Sequence, residues 1–245
     1  MATVAVIGGT GAALFPNPNA IESVQVDVAW GETSAPVKRW QQHGHEVLFL
    51  ARHGAQGQIA PHHINFRANV QALKDLGADG VIAINAVGGI AETAVPGRIV
   101  IPDQLIDYTW GREHTYFDGR VNELNFIDFT KPYDDSLRCN LIEAAQTLDL
   151  QILAEGVYGV TQGPRLETAA EINRLARDGC HIVGMTAMPE AALAKELDLP
   201  YASCCIVVNW AAGKSDVAIH NEIAEFLQQG MTRAAQLVDA VLLSL

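Results

Sequence analysis

Apolar residues fall along the chain in blocks of two lengths. Short runs recur at Val4–Ile7, Val47–Ala51, Val81–Asn85, Ile99–Ile101, Gly156–Thr161, Ile182–Gly184 and Ser203–Val208. Runs this short read as strands, most of them covered on both faces. Between several of them lie helix-length amphipathic stretches, Asn65–Leu76, Ser136–Leu148, Thr168–Asp178 and Glu190–Leu197. The chain ends on a longer one, Asn221–Leu243. Strands alternating with helices predict an α/β fold, a central mixed, largely parallel twisted sheet flanked by helices. Val24–Trp30 and Glu46–Leu50 are expected to add antiparallel pairing near the N-terminus. No linker, repeat or break in composition interrupts the pattern, so residues 1–245 read as one domain.

Composition narrows the function classes. Charged residues make up 18% of the chain and hydrophobic ones 49%, a globular balance far from disorder. The net charge of −12 argues against nucleic-acid and membrane-surface partners, which want a basic face. It leaves room for a small anion, because a few local donors hold one against the global sign. Cys139, Cys180, Cys204 and Cys205 have neither disulfide-framework nor metal-site spacing, and read as core thiols in a reducing cytosol. The opening MATVAVIGG reads as a strand and not as a secretory leader, and no uncharged apolar stretch is long enough to span a bilayer. A cytoplasmic location is expected.

Candidate chemistry begins at VAVIGGTGAALF, Val4–Phe15, where a strand runs into Gly8, Gly9, Thr10 and Gly11. A dinucleotide fingerprint needs G-x-G-x-x-G opening a helix. Here Leu14 stands where the third glycine belongs, and Pro16 and Pro18 follow at once, which an ordinary helix interior does not tolerate. No G-K-[ST] follows either, so a triphosphate-binding loop also fails. What remains is a plain strand-to-loop turn or a glycine nest with one hydroxyl, Thr10, sized for a single phosphate.

Three further strand ends carry related chemistry. FLARHG ends on Arg52, His53 and Gly54, and VIAINAVGGI on Asn85 and Ala86 before Gly88 and Gly89. IVGMTAMPEA passes through Met185 and Thr186 to Pro189 and Glu190, which open a helix. Ligand sites in open α/β sheets gather at strand carboxyl ends, and Arg52 with the hydroxyls of Thr10 and Thr186 makes a single-phosphate clamp. Each stretch alone reads equally well as turn or cap chemistry; the set does not. Other conspicuous groups read as structural: His62 and His63 as a loop before the Asn65 helix, Tyr133–Ser136 as an N-cap region, and GREHTYFDGR, residues 111–120, as loop packing.

GGTG, ARHG, NAVGG, TQGPRLET, GMTAMPEA and VVNWAAG follow one another in order over nearly the whole chain. With that set the sequence resembles the purine nucleoside phosphorylases of the trimeric class, most of all the branch that cleaves 5′-methylthio nucleosides. The resemblance implies the nucleoside phosphorylase fold, a homotrimer, no metal or organic cofactor, and orthophosphate as co-substrate. Position by position, it assigns Thr10, Arg52, His53, Asn85, Ala86 and Thr186 to phosphate and Met185 to the ribose. Leu166 stands where the family usually stacks a phenylalanine on the base. Glu167 and Asn209 match the base-recognition pair of the 6-oxopurine enzymes. Phe126 matches the residue that crosses into a neighbouring subunit's site. His220 lies close to the histidine that meets the 5′ hydroxyl in ordinary purine nucleoside phosphorylases, and Lys214 and Asp216 belong to a loop over the site.

The chemistry implied is modest. Glycosidases need a carboxylic acid and a second carboxylate, but here phosphate is itself the nucleophile. Asn209 donates to the purine N7/O6 edge as negative charge develops there, and Glu167 accepts from N1–H. The adenosine-specific branch implies an aspartate at this strand end, another two residues on, and a small hydroxyl residue in place of the glutamate. Asn209, Ala211 and Glu167 therefore imply hypoxanthine over adenine. The expected substrate is S-methyl-5′-thioinosine. Methylthioadenosine phosphorolysis and ordinary inosine or guanosine phosphorolysis are the alternatives within the family, and a non-catalytic nucleoside binder is the alternative outside enzymes. Arg52→Ala is expected to weaken transition-state stabilisation strongly, by unpairing a bound anion, while lowering the melting temperature of the ligand-free protein little.

Overall fold

The computed structural model describes residues 1–15, 22–117, 119, 122–217 and 219–245, with the backbone alone at 220–222. The strands are β1 (Thr3–Gly8), β2 (Glu22–Val24), β3 (Val37–Gln42), β4 (His45–Ala51), β5 (Gly80–Gly89), β6 (Ile99–Val100), β7 (Gln104–Asp107), β8 (Ile152–Leu153), β9 (Val157–Val160), β10 (Ile182–Gly184) and β11 (Tyr201–Trp210). The helices are α1 (Phe66–Asp75), α2 (Asp135–Thr147), α3 (Ala169–Arg177), α4 (Ala187–Glu196) and α5 (Ile219–Ser244).

All described strands join one sheet in the order β2-β3-β4-β1-β5-β10-β9-β7, with β11, β6 and β8 continuing from the opposite edge of β5. Pairing is parallel for β1 with β4 and β5, β11 with β5, β10 with β9, β7 with β9 and β6 with β8. The mixed, largely parallel sheet expected from the sequence is present. β5 and β11 are buried along almost their whole length, which is why their sequences read as unbroken apolar runs instead of alternating ones. Phe66, Val70 and Leu73 of α1 and Ala191 and Leu193 of α4 pack on one face against Val81, Ala83 and Cys205. Leu141 and Ala145 of α2 and Met231, Ala234, Leu237 and Val241 of α5 pack on the other against Ile82, Ile84 and Ile206.

Helix starts follow local chemistry. Asn65 Oδ1 accepts from the Ala68 amide and caps α1, Asp134 caps α2 through the Leu137 amide, and Thr168 with Glu171 forms a reciprocal capping box on α3. Antiparallel pairing near the N-terminus does occur, but between β2, β3 and β4. β2 stops at Val24, and Val28 makes only an isolated bridge to Gly31, so the strand expected over Val24–Trp30 is not formed. β3, VKRWQQ, was hidden because its half-exposed position admits Lys, Arg and Gln. Cys180, Cys204 and Cys205 are buried, and burial pushes the Cys204 thiol up to about 12. Cys139 instead lies exposed on α2, which corrects its reading as a core thiol. Among the described residues no helix is long and apolar enough to cross a membrane.

Candidate active site

β5 changes neighbours along one edge. It pairs with β1 from Gly80 to Ile84 and with β10 at Gly88 and Gly89. Between them, Asn85–Val87 has no ladder partner on that edge among the described residues, while its other edge is filled by Cys205–Val207 of β11. Because β1 runs parallel to β5 and β10 antiparallel, their carboxyl ends, Gly8 and Gly184, run towards this gap from opposite sides. The cleft lies at the carboxyl ends of β1 and β10, beside the unladdered stretch of β5, and open α/β sheets hold ligands at strand carboxyl ends. Its empty volume is about 840 Å3 counting the open mouth.

One end of the cleft is built by the glycine turn after β1. The Gly9 amide donates to the Ile84 carbonyl at 3.2 Å, and Gly11 sits at φ +85°, a left-handed conformation that favours glycine. A Cβ on Gly9 would come within 2.8 Å of Arg52 Nη1, so the bare backbone makes space for the guanidinium. Thr10, Arg52, His53, Ala86 and Thr186 all line this end. Ala86 belongs there through its backbone, on the unladdered edge of β5.

Arg52 is fully buried and is not a free cation. Its Nε donates to Glu190 Oε2 at 2.7 Å and its Nη2 to Oε1 at 2.8 Å, while Nη1 donates to the Ile84 carbonyl at 3.3 Å. The Tyr201 hydroxyl donates to the same carboxylate at 2.8 Å. Burial works against the guanidinium's charge, but the Glu190 carboxylate outweighs it and holds the pKa above its usual value. The expectation that Arg52→Ala lowers the melting temperature little is thereby corrected: both side chains are fully buried, and loss of either partner strands a buried charge. His53 Nδ1 lies 2.8 Å from the Ile59 carbonyl. A carbonyl only accepts, so Nδ1 carries the proton. Burial and the charge of Arg52 hold this imidazole below its ordinary pKa.

Asn85 is placed behind the wall and does not line the cleft. Its Nδ2 donates to Thr186 Oγ1 at 2.9 Å, so it orients a lining hydroxyl. Thr186 caps α4 without a side-chain cap bond, which leaves its hydroxyl for Asn85 and the cleft.

The other end gathers Leu166, Glu167, Met185 and Asn209. Glu167 Oε1 accepts from Thr161 Oγ1 at 2.6 Å. Asn209 follows a bulge in β11, where the register with β5 shifts between Val207 and Asn209; bulges re-aim side chains next to sites. Its Nδ2 donates to the Trp210 carbonyl at 2.7 Å. Leu166 is 40% exposed at the rim. Phe126 is 86% exposed and lies outside this chain's cleft. The side chain of His220, and Ala218 before it, lie outside the described residues.

Residues not singled out from the sequence complete the walls. Ile219 and Ile223 from the first turns of α5 line the cleft, and Leu227 and Met231 further along α5 approach Gly11. Their spacing of four is the sequence signal, because i and i+4 share a helix face. Glu190 was legible only as a helix opener; its pairing with Arg52 spans 138 residues.

Known proteins carry the same organisation. The model of the phosphorylase superfamily matches residues 3–243. A probable S-methyl-5′-thioinosine phosphorylase of Pseudomonas syringae pv. tomato is 46% identical over 99% of both chains. The 6-oxopurine nucleoside phosphorylase of Pyrococcus furiosus is 42% identical over 99% of this chain and 92% of its own. The methylthioadenosine phosphorylase of Schistosoma mansoni, solved with tubercidin, superposes with a TM-score of 0.90 at 30% identity, covering 99% of this chain and 91% of that one. Sequence and fold match these proteins over nearly the whole length, and the chain belongs to the phosphorylase superfamily.

Proposed function

We propose that the protein catalyses phosphorolysis of S-methyl-5′-thioinosine, giving hypoxanthine and 5-methylthioribose 1-phosphate. The observation that carries this reading is that one cleft is lined both by the polar Glu167 and Asn209 and by the apolar Ile219 and Ile223. An apolar wall suits a methylthio group, whereas a 5′ hydroxyl would lose its hydrogen bonds there. The relatives named for the methylthioinosine and 6-oxopurine reactions support the same base.

In this reading, phosphate lies against Thr10, Arg52, His53, the Ala86 backbone and Thr186, with Asn85 orienting Thr186. It attacks C1′ as the C1′–N9 bond breaks, and the electron pair of that bond passes into the purine. One N–H of the Asn209 amide is held by Trp210, which fixes the amide plane and leaves the second N–H for the N7/O6 edge. Glu167 accepts from N1–H. Because Glu190 balances Arg52, the anion meets a rigid donor and not an unbalanced charge, which favours release of the product phosphate ester. Phe126 is read as the contribution of one subunit of a homotrimer to its neighbour's site.

A kinetic panel of methylthioinosine, methylthioadenosine, inosine, guanosine and adenosine, each with phosphate, tests the proposal. Methylthioinosine should show the highest kcat/KM and the adenine nucleosides the lowest. A methylthioadenosine rate equal to that of methylthioinosine overturns the base assignment. An inosine rate above methylthioinosine would instead identify an ordinary 6-oxopurine nucleoside phosphorylase.

A further inference from the structure

The ladder between β9 and β10 ends at Val160 and Gly184. Beyond it the two chains part. One leads through Thr161 and Gln162 to Glu167, the other through Met185 and Thr186 into α4. Arg112, 9% exposed, lies across the fork. Its Nε donates to Gln162 Oε1 at 3.1 Å. Nη1 donates to the carbonyls of Met185 at 2.8 Å and Met188 at 2.5 Å, and Nη2 to those of Thr161 at 3.3 Å and Gln162 at 2.9 Å.

A guanidinium has five N–H donors in one rigid plane, and all five are engaged here. Four go to backbone carbonyls, two on each arm of the fork, and none goes to a carboxylate. Phe66 lies 5.5 Å from the guanidinium carbon and backs it. A cation set among neutral acceptors is poorly placed for an ion pair but well placed to clamp backbone. Lysine, with a point charge and no planar fork, cannot reproduce it. The arms it joins are functional ones. Thr161 passes the constraint to Glu167 through its 2.6 Å hydrogen bond, and the other arm carries Met185 and Thr186.

We propose that Arg112 is a positioning residue: it fixes the spacing between Glu167, which reads the base, and the Met185–Thr186 segment, which holds sugar and phosphate. The proposal rests on reading the cleft as a purine nucleoside site. A nucleoside spanning both arms reacts only when base recognition and attack at C1′ are in register, and displacements on the order of 1 Å cost about 100-fold in rate.

Arg112→Lys and the milder Gln162→Leu, which removes the side-chain acceptor of Arg112 Nε and of the Trp110 amide, are compared with wild type for cleavage of methylthioinosine and methylthioadenosine. The wild-type ratio is read first; absence of a preference for the hypoxanthine nucleoside overturns the base reading itself. Given that preference, Arg112→Lys should lower kcat by about 10- to 100-fold and shrink the ratio. Gln162→Leu should shift both in the same direction by less. Should Arg112→Lys fail to fold, Gln162→Leu decides alone. Folded variants that lose thermal stability yet keep the wild-type kcat and ratio would show Arg112 to be structural only and overturn the proposal.

Discussion

Arg52 meets two demands at once. Its carbon chain and guanidinium are wholly buried, its Nε and Nη2 face Glu190, and its remaining nitrogen faces Gly9 at the wall of the cleft. Breaking such a pair costs about 3–5 kcal/mol, because one charge stays buried without compensation. Both Arg52→Ala and Glu190→Gln should therefore lower the unfolding free energy of the ligand-free protein by about that amount. Phosphate separates the two. In Glu190→Gln the anion restores a counter-charge, so it should raise Tm more than in wild type; in Arg52→Ala it should raise Tm little. Equal phosphate-induced shifts in all three proteins would mean that Arg52 does not meet the anion. On the proposed reading, Asn209 sets the polarity of the base end. Asn209→Asp replaces a donor by an acceptor and should lower kcat/KM for methylthioinosine by at least about 100-fold, since a mismatched buried hydrogen-bonding group is left unpaired. A kinetic comparison with methylthioadenosine reads the change, and an unaltered preference would remove Asn209 from base recognition.

At the scale of elements, the site is made by β5 and by the start of α5. β5 supplies an unladdered edge because its partners on that side, β1 and β10, run in opposite directions. α5 supplies the apolar wall through Ile219 and Ile223. His220, to which the resemblance points for the 5′ preference, has its side chain outside the described residues. Ile223 is the better position to test. Ile223→His should move the inosine to methylthioinosine ratio of kcat/KM towards inosine by about five- to tenfold, the effect of one neutral hydrogen bond gained by the 5′ hydroxyl. A ratio that stays put would place the 5′ group elsewhere.

The molecule exposes large apolar side chains that the chain itself does not cover. Phe126 is 86% exposed, Leu124 61% and Trp110 72%. Aromatic residues left in solvent are costly to a lone subunit and suit a contact between copies. With Phe126 assigned to a neighbour's site, light scattering in the presence of phosphate should report about three times the 26.3 kDa of one chain. Phe126→Ala should then raise the KM for nucleoside while leaving the mass unchanged. A monomer with full activity would exclude a shared site.

The α/β layering was legible in the sequence because strands covered on both faces and helices covered on one leave different apolar patterns. The glycine turn, the cap residues Asn65, Asp134 and Thr168, and the strand ends carrying Arg52, Met185 and Thr186 were legible for the same reason: each is a local rule of backbone and side chain. β3 was not, since a half-exposed strand carries polar residues that local pattern assigns to a loop. What tertiary structure alone decided were the contacts made across long stretches of chain. Glu190 meets Arg52, Asn85 donates to Thr186, and Arg112 clamps two loops from a third. No periodicity encodes such pairings. They depend on which strand edges the sheet brings together, and on the requirement that every charge buried there find its donors and acceptors.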